Sequence, residues 1–498
     1  VGNFKLLKGY NLANINFNES FWMYYEFMER ANLQQSDLLS KSQLIKFNEK
    51  IGSPYHVGVG LRYLEYYLGN QSLDNVLKEY LNQPDDKRFS LLDLIDKYSS
   101  KNIDWFERFY LKERLPIDIK IKSLNKRKDS IQVNLSKYSD DKVPFLLTQI
   151  KDKKILSQQW IENMGTTSSV ILENLNPDYL AINPEIRLPE TNKNNNWRYV
   201  KNFLNTKPIQ FNFLRDYESP KRNQIFYNPV VNYNLYDGLS IGSRFYDKGL
   251  LTQRFNFELM PKYSSLQDDL VGKVMLSYRL NNMKKSNYAT LLSFYGSSYH
   301  YMEDLRYQVI NPNINFYFRT NDFRSNERHV LGLYYYSVKR DKSPDPITNP
   351  NYELINLRYR HSNRGILKHF TFGINFQYSK KFGKIDITLD YRRLLSNGSQ
   401  ITARFFAGKF LYHKQQQTNY FDFNLNRPQD YLFRYNYFGR SEKDGFFSQQ
   451  IVMSEGGFKS KLLPARANDY LTTTNLTFGV WKWIEAYTDF GILKNQNI

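Results

Sequence analysis

Side chains able to do bond chemistry are spread thinly through these 498 residues. Histidine occurs six times, at His56, His300, His329, His361, His369 and His413. A zinc site carried on one helix needs two histidines four residues apart, converging on the ion, with a glutamate between them as base. No pair here has that spacing, so no histidine is assigned as a metal ligand. Cysteine is absent, which excludes disulfides and thiolate metal sites. Asp386, Asp390 and Arg392 fall on one face of a period-two stretch. Paired carboxylates serve glycosidases as acid and nucleophile. Nothing in the sequence sets that geometry, and charges on a wet strand face are ordinarily just solvated. His56 reads as a polar surface residue, and Gly58 and Gly60 as positions where a helix packs closely.

The elements that would carry these groups change character along the chain. In the second half the pattern is strictly alternating. Phe370, Phe372, Ile374, Phe376 and Tyr378 alternate with Thr371, Gly373, Asn375 and Gln377, and Ile385, Ile387, Leu389 and Tyr391 alternate with Asp386, Thr388, Asp390 and Arg392. Successive side chains of a strand point to opposite faces, so each run has one apolar and one polar face. The same design recurs from Ile209 onward at intervals of a membrane-spanning strand plus a turn. Examples are Ile314, Phe316 and Phe318, and Ile355, Leu357 and Tyr359. We read about 14 to 16 strands, a large antiparallel transmembrane β-barrel over residues 209–498. Tyr236-Asp237-Gly238, Phe382-Gly383 and Asn397-Gly398 supply turns, and longer polar breaks fall at 415–430 and 460–469. The aromatic share of 16% suits the interfacial girdles of such a barrel. No stretch approaches the roughly 18 consecutive apolar residues of a spanning helix.

Residues 1–115 show helical spacing instead. Helices are expected over Phe21–Arg30, from Ser36, over Tyr55–Leu68, from Ser72, over Phe89–Tyr98 and over Asp104–Leu111. Short alternating runs from Ile117 to Leu172 predict a small β-sandwich over 116–192. The polar run beginning at Lys193 reads as a linker over 193–208. The fold class is therefore multidomain: helical segment, sandwich, barrel. The net charge of +20 comes from Lys and Arg scattered among aromatic and strand-polar positions, without a basic helix or nucleic-acid motif. It is read as lumen, loop and headgroup contacts, with no nucleic-acid partner. Val1 does not begin a signal peptide, so an exported chain is expected here in mature or partial form.

Pro54-Tyr55-His56-Val57-Gly58, continuing through LRYLEYYLGNQSLDNVLKEYL, resembles the M1 family of zinc metallopeptidases. Leu91–Tyr98, Ile103-Asp104-Trp105-Phe106, Asn183-Pro184 and Leu188-Pro189-Glu190 extend the likeness over roughly residues 10–192. Phe446-Phe447-Ser448-Gln449 and Gly456-Gly457-Phe458 resemble the barrel half of outer-membrane proteins that join such a peptidase to a barrel. The resemblance implies peptide hydrolysis at the cell envelope, with Tyr55 as the hydroxyl that stabilises the tetrahedral oxyanion. It also implies that the His-Glu-x-x-His motif and its zinc lie upstream of Val1, since this chain holds no cofactor site of that kind. Val57 stands where the family carries Lys, a departure that favours the alternative of a non-catalytic component of an outer-membrane complex for assembly, secretion or transport. Expected partners are outer-membrane lipid and other outer-membrane proteins. The expected location is the bacterial outer membrane with the N-terminal domains in the periplasm.

Overall fold

The computed structural model describes residues 22–69, 72–84, 89–99, 101–185, 188, 190–201, 206–282, 286–342, 350–414, 418–434, 452–460, 462, 465–481 and 483–496. Contacts divide the chain into two units: residues 1–228 with 245–253, and residues 229–244 with 254–498.

The first unit begins with helices α1 (Trp22–Ala31), α2 (Ser53–Leu68), α3 (Ser72–Asn82) and α4 (Leu91–Tyr98). Phe21, the expected start of α1, lies outside the described residues. Pro54 sits in the first turn of α2, where its missing N–H costs nothing. Ser90 caps α4, its hydroxyl accepting from the Asp93 N–H at 3.1 Å, as its position predicts. The helix expected from Ser36 does not form. Ser36 Oγ accepts from Leu38 N–H, and Gln35 Oε1 accepts from Ile45 N–H at 2.9 Å, so side chains take the donors that helical carbonyls would need. Trp105–Lys112 winds more widely than an α-helix, and Glu113 N–H reaches back five residues to the Arg108 carbonyl.

Strands β1 (Ile119–Lys126), β2 (Ser130–Lys137), β3 (Phe145–Lys151), β4 (Lys154–Ile161), β5 (Thr167–Glu173), β6 (Tyr179–Ile182) and β7 (Trp197–Tyr199) follow. They form two sheets, ordered β1-β2-β5 and β4-β3-β6-β7. Ile119, Ile121, Ile131, Val133 and Leu135 point inward and share one core with Tyr63, Leu64, Trp105 and Phe106. The stretch read as a linker is partly structured: Lys193–Asn195 forms a 3-10 turn, and β7 pairs with β6. The first unit also runs past residue 209. Tyr217 Oη donates to Glu26 Oε2 at 2.8 Å, Lys193 pairs with Glu26, and Arg30 grips Glu218 through both terminal guanidinium nitrogens, with Glu26, Arg30 and Glu218 buried. These bonds tie α1 to residues 193–218, a link that local spacing does not reveal.

Among the described residues the large sheet has fourteen strands: β8 (Ile209–Phe213), β9 (Asn223–Asn234), β10 (Gly238–Tyr246), β11 (Phe255–Ser264), β12 (Asp269–Asn281), β13 (Asn287–Met302), β14 (Leu305–Arg319), β15 (Glu327–Arg340), β16 (Tyr352–Arg364), β17 (Lys368–Tyr378), β18 (Phe382–Leu394), β19 (Gln400–His413), then, beyond the short pair β20 (Phe423–Asn424) and β21 (Arg466–Ala467), β22 (Tyr470–Trp481) and β23 (Ile484–Lys494). Neighbours follow chain order, and β11 through β23 pair antiparallel. The expectation of a uniformly antiparallel, closed barrel is corrected in two respects. β8 runs parallel to β9, and among the described residues no ladder joins β8 to β23, so the sheet is open. Phe382-Gly383 also opens β18 rather than making the turn, which falls at 379–381.

The two glycines near the start of α2 differ in role. Gly60 is buried, and a Cβ there would lie 2.2 Å from Cε1 of the buried Tyr110 ring. Gly58 is exposed, and no atom lies within 4 Å of where a Cβ would stand. Gly60→Ala should therefore destabilise the first unit by about 1–3 kcal/mol through overpacking. Gly58→Ala should stabilise it by up to about 1 kcal/mol through helix propensity. Thermal unfolding of the two variants checks the opposite signs.

Candidate functional site

Tyr55 lies half-buried in the first turn of α2. His56, beside it, is buried rather than at the surface. Its Nδ1 lies 2.6 Å from Asp37 Oδ2, and its ring stacks on Tyr110 at 4.1 Å between centroids. The Tyr110 hydroxyl donates to the His56 carbonyl at 2.9 Å. Arg114, 1% exposed, joins the same cluster: Nη1 donates to the Gln35 carbonyl at 3.0 Å and lies 3.3 Å from Asp37 Oδ1, while Nε lies 3.4 Å from Glu29 Oε1. Arg114 sits at φ +45°, a left-handed conformation that the surrounding bonds hold in place.

Burial dominates the electrostatics of this cluster. It pushes the Glu29 carboxyl up to about 7, against the pull of Arg114 and with the help of Asp37. Burial, then Arg114, drives His56 down to about 4 despite Asp37. At neutral pH His56 is therefore uncharged, with Nδ1–H donating to Asp37. A His–Asp pair of this kind can orient an imidazole as a base. Here the imidazole is 2% exposed and sealed under Tyr110, so the pair holds the fold together. The other five histidines all belong to the second unit, so the first unit offers a zinc ion no second imidazole from this chain.

The second unit has a clearer constellation. On β17, Thr371, Asn375 and Gln377 are buried while Phe370 and Tyr378 are exposed; on β18, Lys384 is buried while Ile385 and Ile387 are exposed. The polar rows thus face inward and the apolar rows outward. Residues 418–434, which include most of the polar break read at 415–430, pack against the inner face together with residues 452–460. Lys384 Nζ donates to the Phe421 carbonyl at 2.7 Å and lies 4.3 Å from the Phe423 ring centroid. Tyr431 Oη donates to Gln377 Oε1 at 2.7 Å, and Tyr352 Oη donates to the Tyr431 carbonyl at 2.6 Å. Arg434 Nη2 donates to Asn356 Oδ1 and Asn375 Oδ1 at 2.6 and 2.8 Å, and Asn375 Nδ2 donates to Asp386 Oδ2 at 2.7 Å. Ser454 Oγ donates to the Leu425 carbonyl at 2.6 Å, and Asn475 Nδ2 donates to the Gly456 carbonyl at 3.1 Å.

One end of the inner face is apolar, which the picture of a uniformly polar lumen did not anticipate. Tyr307, Val309, Tyr336, Val338, Tyr352, Leu354, Phe382, Phe406 and Phe410 form a core with Phe421, Phe423 and Tyr431. Asp386 belongs to the hydrogen-bonded network, and Asp390 lies 3.6 Å from Arg404 Nε, so the two carboxylates are engaged with separate partners rather than posed as an acid–nucleophile pair. Arg392 faces His369 across the β17–β18 ladder. Gly456-Gly457-Phe458 lies within the inserted segment, whereas Phe446–Gln449 falls outside the described residues.

Among solved structures the chain is similar to BamA from Haemophilus ducreyi lacking POTRA domains 1–3. The identity is 13% and the TM-score 0.30, covering 55% of this chain and 58% of that one. The chain thus spans a little over half the length of this solved neighbour. No protein-family model matches the chain, and a search of curated proteins yields no significant match. The resemblance to M1 peptidases therefore gains no support.

Two outcomes test these clusters. His56 has a folded value of about 4, below the usual 6.5, so its contribution to stability is complete above about pH 6.5 and lost as pH falls to about 4. Glu29 acts oppositely: its folded value of about 7 lies above 4.5, so its contribution is present below pH 4.5 and lost as pH rises through about 7. His56→Asn should flatten the acid-side fall in unfolding temperature, followed by tryptophan fluorescence; an unchanged slope contradicts the assignment. In the second unit, Phe421→Ala should destabilise the inserted segment by about 3–5 kcal/mol. Limited trypsinolysis should then cut at Arg434 and Lys459 faster than in the unaltered protein.

Proposed function

We propose that the second unit crosses the bacterial outer membrane as a β-barrel with a self-filled interior, and that the first unit is a non-catalytic module of an outer-membrane complex for assembly, secretion or transport. One observation carries this reading. The outward rows of the large sheet expose Leu276, Tyr278, Leu333, Ile355 and Leu357 at 36–45%, and Phe255, Leu292 and Ile314 line a trough among them. Each such side chain, a little under half exposed, forgoes about 0.5–1.5 kcal/mol of burial if water is its neighbour. An apolar face this broad and continuous is met by another apolar phase, and in a strand-built protein that phase is the hydrocarbon of a bilayer. Among the described residues no helix is long and apolar enough to cross a membrane.

The docking role of the first unit rests on the sealed state of the His56–Asp37 pair and on Val57 where a peptidase of the resembling family has Lys. Buried Glu29, Arg30, Arg114, Lys137, Asp141 and Glu218 of this unit engage in internal ion pairs, which fits a rigid scaffold. A periplasmic position for it follows from the usual start of such barrels on that side. Fractionation of cells producing the full protein tests the membrane reading: the chain should sediment with outer membranes, resist carbonate and require detergent. A freely soluble compact monomer would end this proposal. Co-purification in detergent should recover further outer-membrane proteins in fixed proportion, and a solitary, peptide-hydrolysing chain would overturn the docking role.

A further inference from the structure

The alternation that sends apolar side chains outward also sends Glu327, His329 and His361 outward, at the start of β15 and near the end of its partner β16. His329 and His361 are directly opposite in the antiparallel register, and Glu327 lies two residues before His329 on the same face. Their rings stack at 4.6 Å between centroids. Glu327 Oε1 lies 3.2 Å from His329 Nε2 and 3.6 Å from His361 Nε2, and one donor atom from each residue falls within 4.8 Å of the others.

These distances match a chelate. With metal–ligand bonds of about 2.0–2.1 Å, the ligand atoms of a tetrahedral site stand about 3.3 Å apart. The donor set, two imidazoles and one carboxylate, suits zinc and its neighbours in the divalent first-row series. The outer coordination is in place as well. His329 Nδ1 lies 2.8 Å from the Tyr359 hydroxyl, so with Nε2 on a metal its Nδ1–H donates to Tyr359 Oη. His361 Nε2 is buried and makes no hydrogen bond, and it lies on the side of the ring that faces the Glu327 carboxylate. The three side chains remain 25–35% exposed, which leaves a path for the ion and a fourth position for water or an anion.

We propose that Glu327, His329 and His361 form a binding site for one divalent transition-metal ion, zinc in the first instance, clamping β15 to β16 on the outer face. Sequence spacing alone misses it because the two histidines are 32 residues apart and meet only through the ladder. The site stands on side-chain geometry and does not depend on the sheet lying in a membrane.

The experiment uses the full chain in detergent, with any affinity tag removed, and Co2+ and Zn2+ as probes. Co2+ should give the visible absorption of a four- or five-coordinate site at one ion per chain, and Zn2+ should displace it. His361→Ala and His329→Gln should each abolish that spectrum, and Tyr359→Phe should keep it but weaken affinity by roughly 10-fold. His369→Ala, on another strand, should leave it unchanged. Absence of the spectrum in the unaltered chain, or equal binding by the His361→Ala and His329→Gln variants, overturns the proposal. Since these outcomes concern metal alone, they are separable from the fractionation result that decides the membrane reading.

Discussion

The second unit depends on a single constraint: a strand has two faces, and the two faces of this sheet answer to different surroundings. The outward rows are largely apolar and partly exposed, while the inward rows carry Asn356, Asn375, Gln377, Lys384 and Asp386. Buried polar groups are tolerated only where each finds a partner. The inserted segments supply those partners. The carbonyl of Phe421 takes the Lys384 ammonium, Tyr431 satisfies Gln377, and Arg434 bridges two asparagine side chains. Aromatic rings then fill the space these bonds leave, so that one segment provides both hydrogen bonds and packing. Lys384 shows the combination in one side chain: its charge meets a carbonyl and the face of the Phe423 ring.

The first unit meets a related constraint by pairing charges. Glu29, Asp37 and Arg114 would each be costly to bury alone. Together with a neutral His56 they form a cluster whose members offset one another, and Arg114 accepts a left-handed backbone to reach it. A second cluster, Arg30 with Glu218 and Glu26 with Lys193 and Tyr217, fixes α1 to a region almost two hundred residues away in sequence. In the first cluster His56 is 2% exposed beneath the Tyr110 ring. Structural ion networks and catalytic ones perturb protonation alike, so geometry and access separate them.

Much of the architecture was legible in the residue pattern. Period-two runs located the strands of the large sheet and their outward phase, because side-chain direction in a strand is a local property. The Ser90 cap and the end of α2 at Leu68 were readable for the same reason. The range of strands read from the alternation bracketed the fourteen observed, whereas the parallel pairing of β8 and the open ends of the sheet depend on which edges meet. The helix expected from Ser36 lost to side chains that capture backbone donors, a competition that periodicity does not weigh.

The sequence by itself determined which face of each strand is apolar, where helical spacing gives way to alternation, and that no cysteine chemistry operates. Those properties follow from residue type and near-neighbour spacing. Tertiary structure alone decided that His56 is sealed against Tyr110, that residues 418–434 line the inner face, and that Glu327, His329 and His361 converge. Each of these depends on contacts between residues far apart in the chain, set by ladder register and loop path, and no local pattern encodes that distance.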